Sequence, residues 1–248
     1  LLVINNLLQK HSVLEVSELL DIKESLTEKI DVSENLDSNI SEVNAQIEVS
    51  KSNLDTIAAK LKKNRTSVIP KFISSLEAIL EQLGMVNAKF DIQLSASETF
   101  KNNGKDELQF LFKANKGGDF NELKKSASGG ELSRIMLAVK SILANYIKLP
   151  TIMFDEIDTG VSGEISNKMG DIMKVMSKNM QVFSITHLPQ IASKGNWHYK
   201  VYKTDIDNVT QTQMKLLTHE ERVVELAQML GGTSITESAI AHAKQLLN

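Results

Sequence analysis

Three short stretches carry residue types that suit phosphate chemistry. The run "TIMF" leads directly into two adjacent carboxylates, Asp155 and Glu156. The run "QVFSIT" leads into His187. Ser128, Gly129, Gly130 and Glu131 stand immediately before an apolar-periodic stretch. A carboxylate offers Mg²⁺ a hard oxygen ligand, directly or through water. A neighbouring carboxylate can polarise an attacking water. An imidazole on an adjoining strand can contact that water or a γ-phosphate. Glycines leave backbone N–H groups open to close approach. The helix that follows presents its positive end, and the serine adds a hydroxyl donor. Each stretch alone has a plainer reading: acids capping a turn, a structural histidine, an N-cap beside a loop. The combination points to a bound phosphate.

The surrounding pattern says how these residues are positioned. "TIMFDE" after Pro150 reads as a buried parallel strand. "TGVSGE" reads as a turn, Glu164–Ser177 as a helix, and "QVFSITH" as a second buried strand. Strand, helix and strand make a βαβ unit. Ligands gather beyond the carboxyl ends of such strands, where Asp155, Glu156 and His187 all fall. Helix 131–147 places Leu132, Ile135, Met136, Val139 and Leu143 on one face. Upstream, Phe90, Ile92 and Leu94 alternate with polar residues, as do Leu108, Phe110 and Phe112. Asn102-Asn103-Gly104 between them predicts a hairpin turn. Two further strands are expected near His198–Lys203 and Gln211–Leu217. Helices near 219–230 and 235–247 follow, separated by Gly231-Gly232.

Residues 1–65 are different in kind. They hold no glycine, proline or aromatic residue. Leu36, Ile40, Val43, Ile47, Ser50, Leu54, Ile57 and Leu61 step by four and three, a heptad seam broken only by Ser50. A helix with one narrow apolar stripe needs a partner helix. From Val16 to Arg65 it would run roughly 75 Å, too long to wrap inside a compact domain. Residues 1–65 therefore read as a coiled-coil arm, with a hairpin turn near Lys10–Val13. Residues 66–248 read as the head. Pro70 is expected to close the arm, and a second helix, Pro70–Leu83, to end at Gly84. Lys60, Lys62, Lys63 and Arg65 cluster near the junction, where they suit either phosphate contacts or a solvated helix end.

The chain has 248 residues, no cysteine and a net charge of −3. The missing cysteines exclude disulfides and thiolate metal sites and fit a reducing compartment. No window is apolar enough to span a bilayer, so no membrane partner is expected. The first residue is leucine rather than an initiator methionine, as expected of a fragment.

"SASGGELSRIMLA" resembles the signature motif of ABC-type ATPases in the form used by SMC-like proteins. "TIMFDEIDTGVSGE" resembles their Walker B motif plus D-loop, and "SITHLPQIA" their histidine switch. Together with "HYKVYK" and the final "ELAQMLGG", the wording is similar to the RecN family of bacterial SMC-like DNA-repair ATPases. The resemblance covers nearly the whole chain. Its three head motifs are specific, and its arm, through "KHSVLEVSELL", is less so.

The resemblance implies an α/β fold: the C-terminal lobe of an ABC/SMC-type P-loop NTPase head, mainly parallel sheet with flanking helices, plus an N-terminal antiparallel coiled-coil arm. It implies that Asp155 holds Mg²⁺, Glu156 is the general base and His187 the switch. Asp158 would touch an opposing protomer. Ser128, Gly129, Gly130 and Glu131 would face ATP bound mainly by another head. The implied activity is ATP hydrolysis in DNA double-strand-break repair and recombination, in the bacterial cytoplasm at the nucleoid. The implied partners are DNA, a second head of the same kind and an N-terminal half bearing the Walker A lobe and the ascending arm.

One departure matters. No G-x-x-x-x-G-K-[ST] occurs; the only Gly-Lys pair, Gly104-Lys105, precedes Asp106. Without the P-loop lysine and its cradle of amides ATP loses its main anchor. The chain alone is expected neither to bind ATP tightly nor to turn it over. A transporter nucleotide-binding domain, another SMC- or cohesin-like ATPase and a non-catalytic dimerisation module are the alternatives. The heptad arm weighs against the first, and the intact Asp155, Glu156 and His187 against the last.

Overall fold

The computed structural model describes residues 1–161, 163–206, 209–232 and 235–248. The chain divides into two compact units, Leu1–Lys63 with Thr99–Lys105, and Asn64–Glu98 with Asp106–Asn248.

The first unit is helical apart from the tip of a β-hairpin at Thr99–Lys105. Helix α1 (Leu2–His11) ends where Ser12 turns left-handed at φ 53°, and the Ser12 N–H donates back to Gln9 and Leu8. Helix α2 (Val16–Gln82) begins at a cap made by Glu18. Its carboxylate accepts from the Leu14 and Glu15 N–H groups at 2.8 and 2.9 Å, which satisfies donors that a helix start leaves unpaired. Those two bonds hold the Glu18 carboxyl below its ordinary pKa, the Glu15 bond contributing most. The heptad seam forms as the spacing predicts but finds no cover: Leu36 is 53% exposed and Ile57 56%. Lys105 pairs with Asp55 at 2.9 Å and lies 4.7 Å over the Phe100 ring.

Pro70 does not end the helix. Helix α2 continues through it to Gln82. A proline inside a helix loses one backbone bond and costs about 3 kcal/mol. Beyond it, Leu76, Leu80 and Leu83 are fully buried, and their burial outweighs the loss at about 1.5–3 kcal/mol each.

In the second unit the head core gathers Leu76, Leu80, Phe112, Ile135, Leu137 and Met169 with their neighbours. Strands β1 (Lys89–Lys101) and β2 (Gly104–Lys113) join through the expected Asn102-Asn103 turn, and short β3 (Asn121–Glu122) pairs antiparallel with β2. A one-turn helix α3 (Leu123–Ser126) leads to α4 (Gly129–Leu143). On α4 the buried residues are Ile135, Leu137 and Ala138, while Met136, expected inside, is 43% exposed.

Strand β4 (Thr151–Asp155) pairs in parallel with β5 (Gln181–Ile185), Thr151 opposite Gln181 and Asp155 opposite Ile185. Helix α5 (Glu164–Met176) connects them, so the βαβ unit forms as read. Among the described residues the parallel part of the sheet is this one pair. Both strands were expected to be buried, yet Met153 is 63% exposed and Phe183 41%, while Phe154 is buried. In this chain the pair is covered on one face only.

A turn of helix α6 (Pro189–Ala192) follows β5. Strands β6 (Tyr199–Ile206) and β7 (Val209–Leu216) form an antiparallel ribbon. Helices α7 (His219–Gly231) and α8 (Glu237–Leu247) share a small core of Val223, Leu226, Ala227, Ala239 and Ala243. The Arg222 guanidinium donates to the carbonyls of Ser193, Gly195 and Asn196. Among the described residues no helix is long and apolar enough to cross a membrane.

Two consequences are measurable. Gly84 ends α2 at φ +77°, and a Cβ there would lie 2.8 Å from the tip of Ile165. The isoleucine tip can move, but the left-handed backbone cannot be relieved. Gly84→Ala is expected to lower unfolding free energy by about 1–2 kcal/mol in denaturant titration. His198 is half-buried, and burial, then the Arg222 charge, holds its pKa below the ordinary 6.5. The fold therefore favours neutral imidazole. Its contribution is present above the unfolded pKa and is lost as pH falls through the lowered folded value. Between neutrality and about pH 5, the denaturation midpoint of His198→Gln should fall less than that of the wild type.

Candidate active site

The Ser-Gly-Gly-Glu stretch forms a helix start with reciprocal capping. Ser128 is the N-cap of α4, with φ −66° and ψ 162°. Its N–H and hydroxyl both donate to the Glu131 carboxylate, at 2.8 and 2.7 Å, and its Oγ accepts from the Glu131 N–H at 3.4 Å. The plain N-cap reading is thus realised, and the serine proton is engaged within the chain. The two glycines are a separate matter. A Cβ built on Gly129 would meet nothing within 4 Å. One built on Gly130 would meet only the Thr159 carbonyl, at 3.4 Å, an ordinary contact. Neither has a positive φ. This chain's own packing therefore demands glycine at neither position.

The nearness of the Thr159 carbonyl to Gly130 puts the helix start beside the loop after β4. That loop is held tightly. Glu156 has φ +45°, a left-handed conformation unusual for its type. Its N–H donates to the Ile185 carbonyl at 3.1 Å. Its own carbonyl accepts from the Thr159 N–H at 3.3 Å and hydroxyl at 2.9 Å. Strained residues persist where neighbours over-determine them, and three bonds do so here. Asp155, Glu156 and His187 all lie exposed at the carboxyl edge of β4 and β5. The three motifs thus lie close together: Gly130 near Thr159, and the Glu156 loop bonded to the end of β5.

Asp158 was expected to face an opposing protomer. In this chain it is 1% exposed and turned inward, where the Thr186 hydroxyl donates to its Oδ2. Thr186 escaped the sequence reading. Its type is visible beside His187, but its partner lies 28 residues away. Arg134, inside the signature stretch, was also missed. It donates to the Leu83 carbonyl at 2.9 Å and the Gly130 carbonyl at 3.2 Å, tying α4 to the end of α2.

No group of three or more His, Cys, Asp or Glu side chains among the described residues is arranged to hold a metal ion. That excludes a closed structural site of those residues. Mg²⁺ keeps several waters and needs only one or two carboxylates, and Asp155 is an exposed carboxylate at the end of β4. In the basic cluster, Arg65 is engaged by the nearly buried Asp106 at 2.7 Å. Lys60 and Lys63 are exposed, and Lys62 is partly so.

No protein-family model matches the chain. Curated relatives do. DNA repair protein RecN of Haemophilus influenzae is 37% identical over 196 residues, 79% of this chain and 35% of the relative. RecN of Rickettsia conorii is 38% identical over 221 residues, 89% of this chain and 40% of the relative. The chain is RecN-like. RecN of Vibrio cholerae, 34% identical over 243 residues, covers 98% of the chain and 44% of the relative, so the likeness to RecN takes in the arm as well as the head. The chain spans 35% to 44% of the length of these relatives.

Two solved structures resemble the fold. One is an Smc head domain with a coiled coil and joint from Pyrococcus yayanosii, at TM-score 0.50 and 17% identity, covering 86% of this chain and 42% of that one. The other is an Smc head domain with an extended coiled coil, bound to the C-terminal domain of ScpA, from Pyrococcus furiosus. It has TM-score 0.51 and 19% identity, and covers 87% of this chain and 50% of that one. The architecture is an SMC-type head lobe with a helical arm.

The strain at Glu156 gives a test free of any ligand. Asparagine tolerates the left-handed region better than glutamate. Glu156→Asn is expected to raise unfolding free energy by up to about 1 kcal/mol. A lowered denaturation midpoint would show that the glutamate side chain stabilises the loop.

Proposed function

We propose that this chain is the signature-bearing half of an SMC-like, ATP-hydrolysing head that acts in DNA double-strand-break repair and recombination, in the bacterial cytoplasm at the nucleoid. The observation that carries the reading is the joining of three motifs at one edge: the α4 start, the Asp155-Glu156 turn and His187. The RecN likeness supports the repair role. The 67-residue α2 favours an SMC-like protein over a transporter domain.

In this reading residues 1–65 are the arm and residues 66–248 the head lobe. The G-x-x-x-x-G-K-[ST] loop comes from an N-terminal half, whose ascending helix covers the exposed seam of α2. The uncovered face of β4 and β5 supports the same inference, since apolar strand faces need cover. Two such heads sandwich ATP. Gly129, unneeded by internal packing, leaves the backbone open to a phosphate presented by the other head.

Ser128 has a second task. Its N–H and hydroxyl form the donor set that an anion at the α4 start would use, and Glu131 takes both. A phosphate engages Ser128 by displacing the Glu131 carboxylate. Asp155 would hold Mg²⁺, which neutralises phosphate charge when bound. Glu156, on its strained turn, is placed to take a proton from the attacking water, and His187 to orient it. Lys60, Lys62 and Lys63 remain available to DNA phosphates; Arg65 would first have to leave Asp106.

The test compares the chain alone with the chain co-expressed with a P-loop half. Turnover is expected only in the pair, and Glu156→Gln should lower it about 10²–10⁴-fold. Turnover by the chain alone, abolished by the same substitution, would overturn the composite site.

A further inference from the structure

The Asp158–Thr186 contact has no part in the scheme above, yet its placement is specific. Asp158 is a carboxylate with 1% exposure. One oxygen, Oδ2, accepts from the Thr186 hydroxyl, and Oδ1 has no partner among the described residues. A buried polar atom left unpaired costs about 1–3 kcal/mol. A valine or leucine at this position would avoid that cost. Something other than packing economy accounts for a carboxylate there.

The bond closes a ring. From Glu156 the chain runs through Ile157 to Asp158, crosses to Thr186, passes to Ile185 and returns through the Ile185 carbonyl to the Glu156 N–H at 3.1 Å. The ring therefore contains the residue that carries one reactive group and adjoins the residue that carries the other. Thr186 also acts forward. Its Oγ1 accepts from the Leu188 N–H at 3.0 Å, spanning His187 from residue to residue. The hydroxyl thus donates backward across the sheet edge and accepts forward across His187. Valine can do neither, and serine can do both.

We infer that Thr186 and Asp158 are positioning residues, which fix His187 relative to Glu156 by bonding the ends of β4 and β5 across the site. They touch no substrate and act through the backbone of their neighbours. The inference rests on the ATPase reading above. Geometry at a reacting centre is steep in its effects, with a displacement of about 1 Å costing on the order of 10²-fold in rate.

The experiment uses the chain assembled with its P-loop half and measures kcat and KM for ATP. Thr186→Val is expected to lower kcat about 10–10²-fold with KM changed less than about threefold, because the ring orients groups without binding ATP. Thr186→Ser should restore kcat to within about threefold of wild type, since it keeps both hydrogen bonds. Asp158→Asn, which retains an acceptor oxygen, should fall between the two. Glu156→Gln is run alongside. If it leaves turnover intact, the ATPase reading itself fails. If it lowers turnover while Thr186→Val does not, only the positioning role fails. Equal loss in Thr186→Val and Thr186→Ser, or a loss confined to KM, also overturns it. Should Thr186→Val not fold, Thr186→Ala set against Thr186→Ser decides on the same criteria.

Discussion

The hydrogen bond from the Glu156 N–H to the Ile185 carbonyl closes the β4–β5 ladder at its last strand pair, Asp155 opposite Ile185. Almost everything at the site depends on it. Two bonds from Thr159 hold Glu156 in its left-handed turn, and this third one ties the turn to the neighbouring strand. With it, the carboxylate stands at the edge of the sheet, next to the parallel neighbour that delivers His187. A parallel pair joined by a helix puts the carboxyl ends of both strands on the same side. The site is a consequence of that topology, fixed at its edge by the last rung of the ladder.

The same economy marks the α4 start. A capping box is worth about 1 kcal/mol to a helix, and its donors are also those that an anion needs. Glu131 therefore stabilises the resting chain with the groups proposed to meet a phosphate. The difference between capping and ligand binding at this position is one of occupancy rather than architecture. In the proposed reading an external anion would take the place of the Glu131 carboxylate at the same donors.

Much of the head was legible because its signals are local. The hairpin around Asn102-Asn103, the strands ending at Asp155 and before His187, and the N-cap Ser128 each follow from a few adjacent residues. What escaped is non-local. Pro70 reads as a stop in any window, and only the burial of Leu76, Leu80 and Leu83 lets the helix pass it. Met136 lies within the periodic stripe, yet the core takes Leu137 and Ala138 instead. Asp158 was expected at an opposing protomer, because nothing near it in the chain reveals a threonine hydroxyl 28 residues away. Arg65 reads as one of four cations until Asp106, 41 residues along the chain on β2, claims it.

Burial also separates what this chain settles from what it leaves to others. Within the head, Leu76, Phe112, Ile135 and Met169 are closed off from water. Met153 and Phe183, on strands of the same composition, are not. Nor are Leu36, Ile40 and Val43 in the arm, which keep about half their surface in solvent. Scattered exposed apolar residues are ordinary. A heptad seam and a strand face are periodic, however, and periodicity records a partner of matching geometry. The seam calls for a helix and the strand face for a layer of packed side chains. A protein in which both partners come from one further segment, joined through the arm, would couple the closing of the head to the pairing of the helices, because the same chain would complete both.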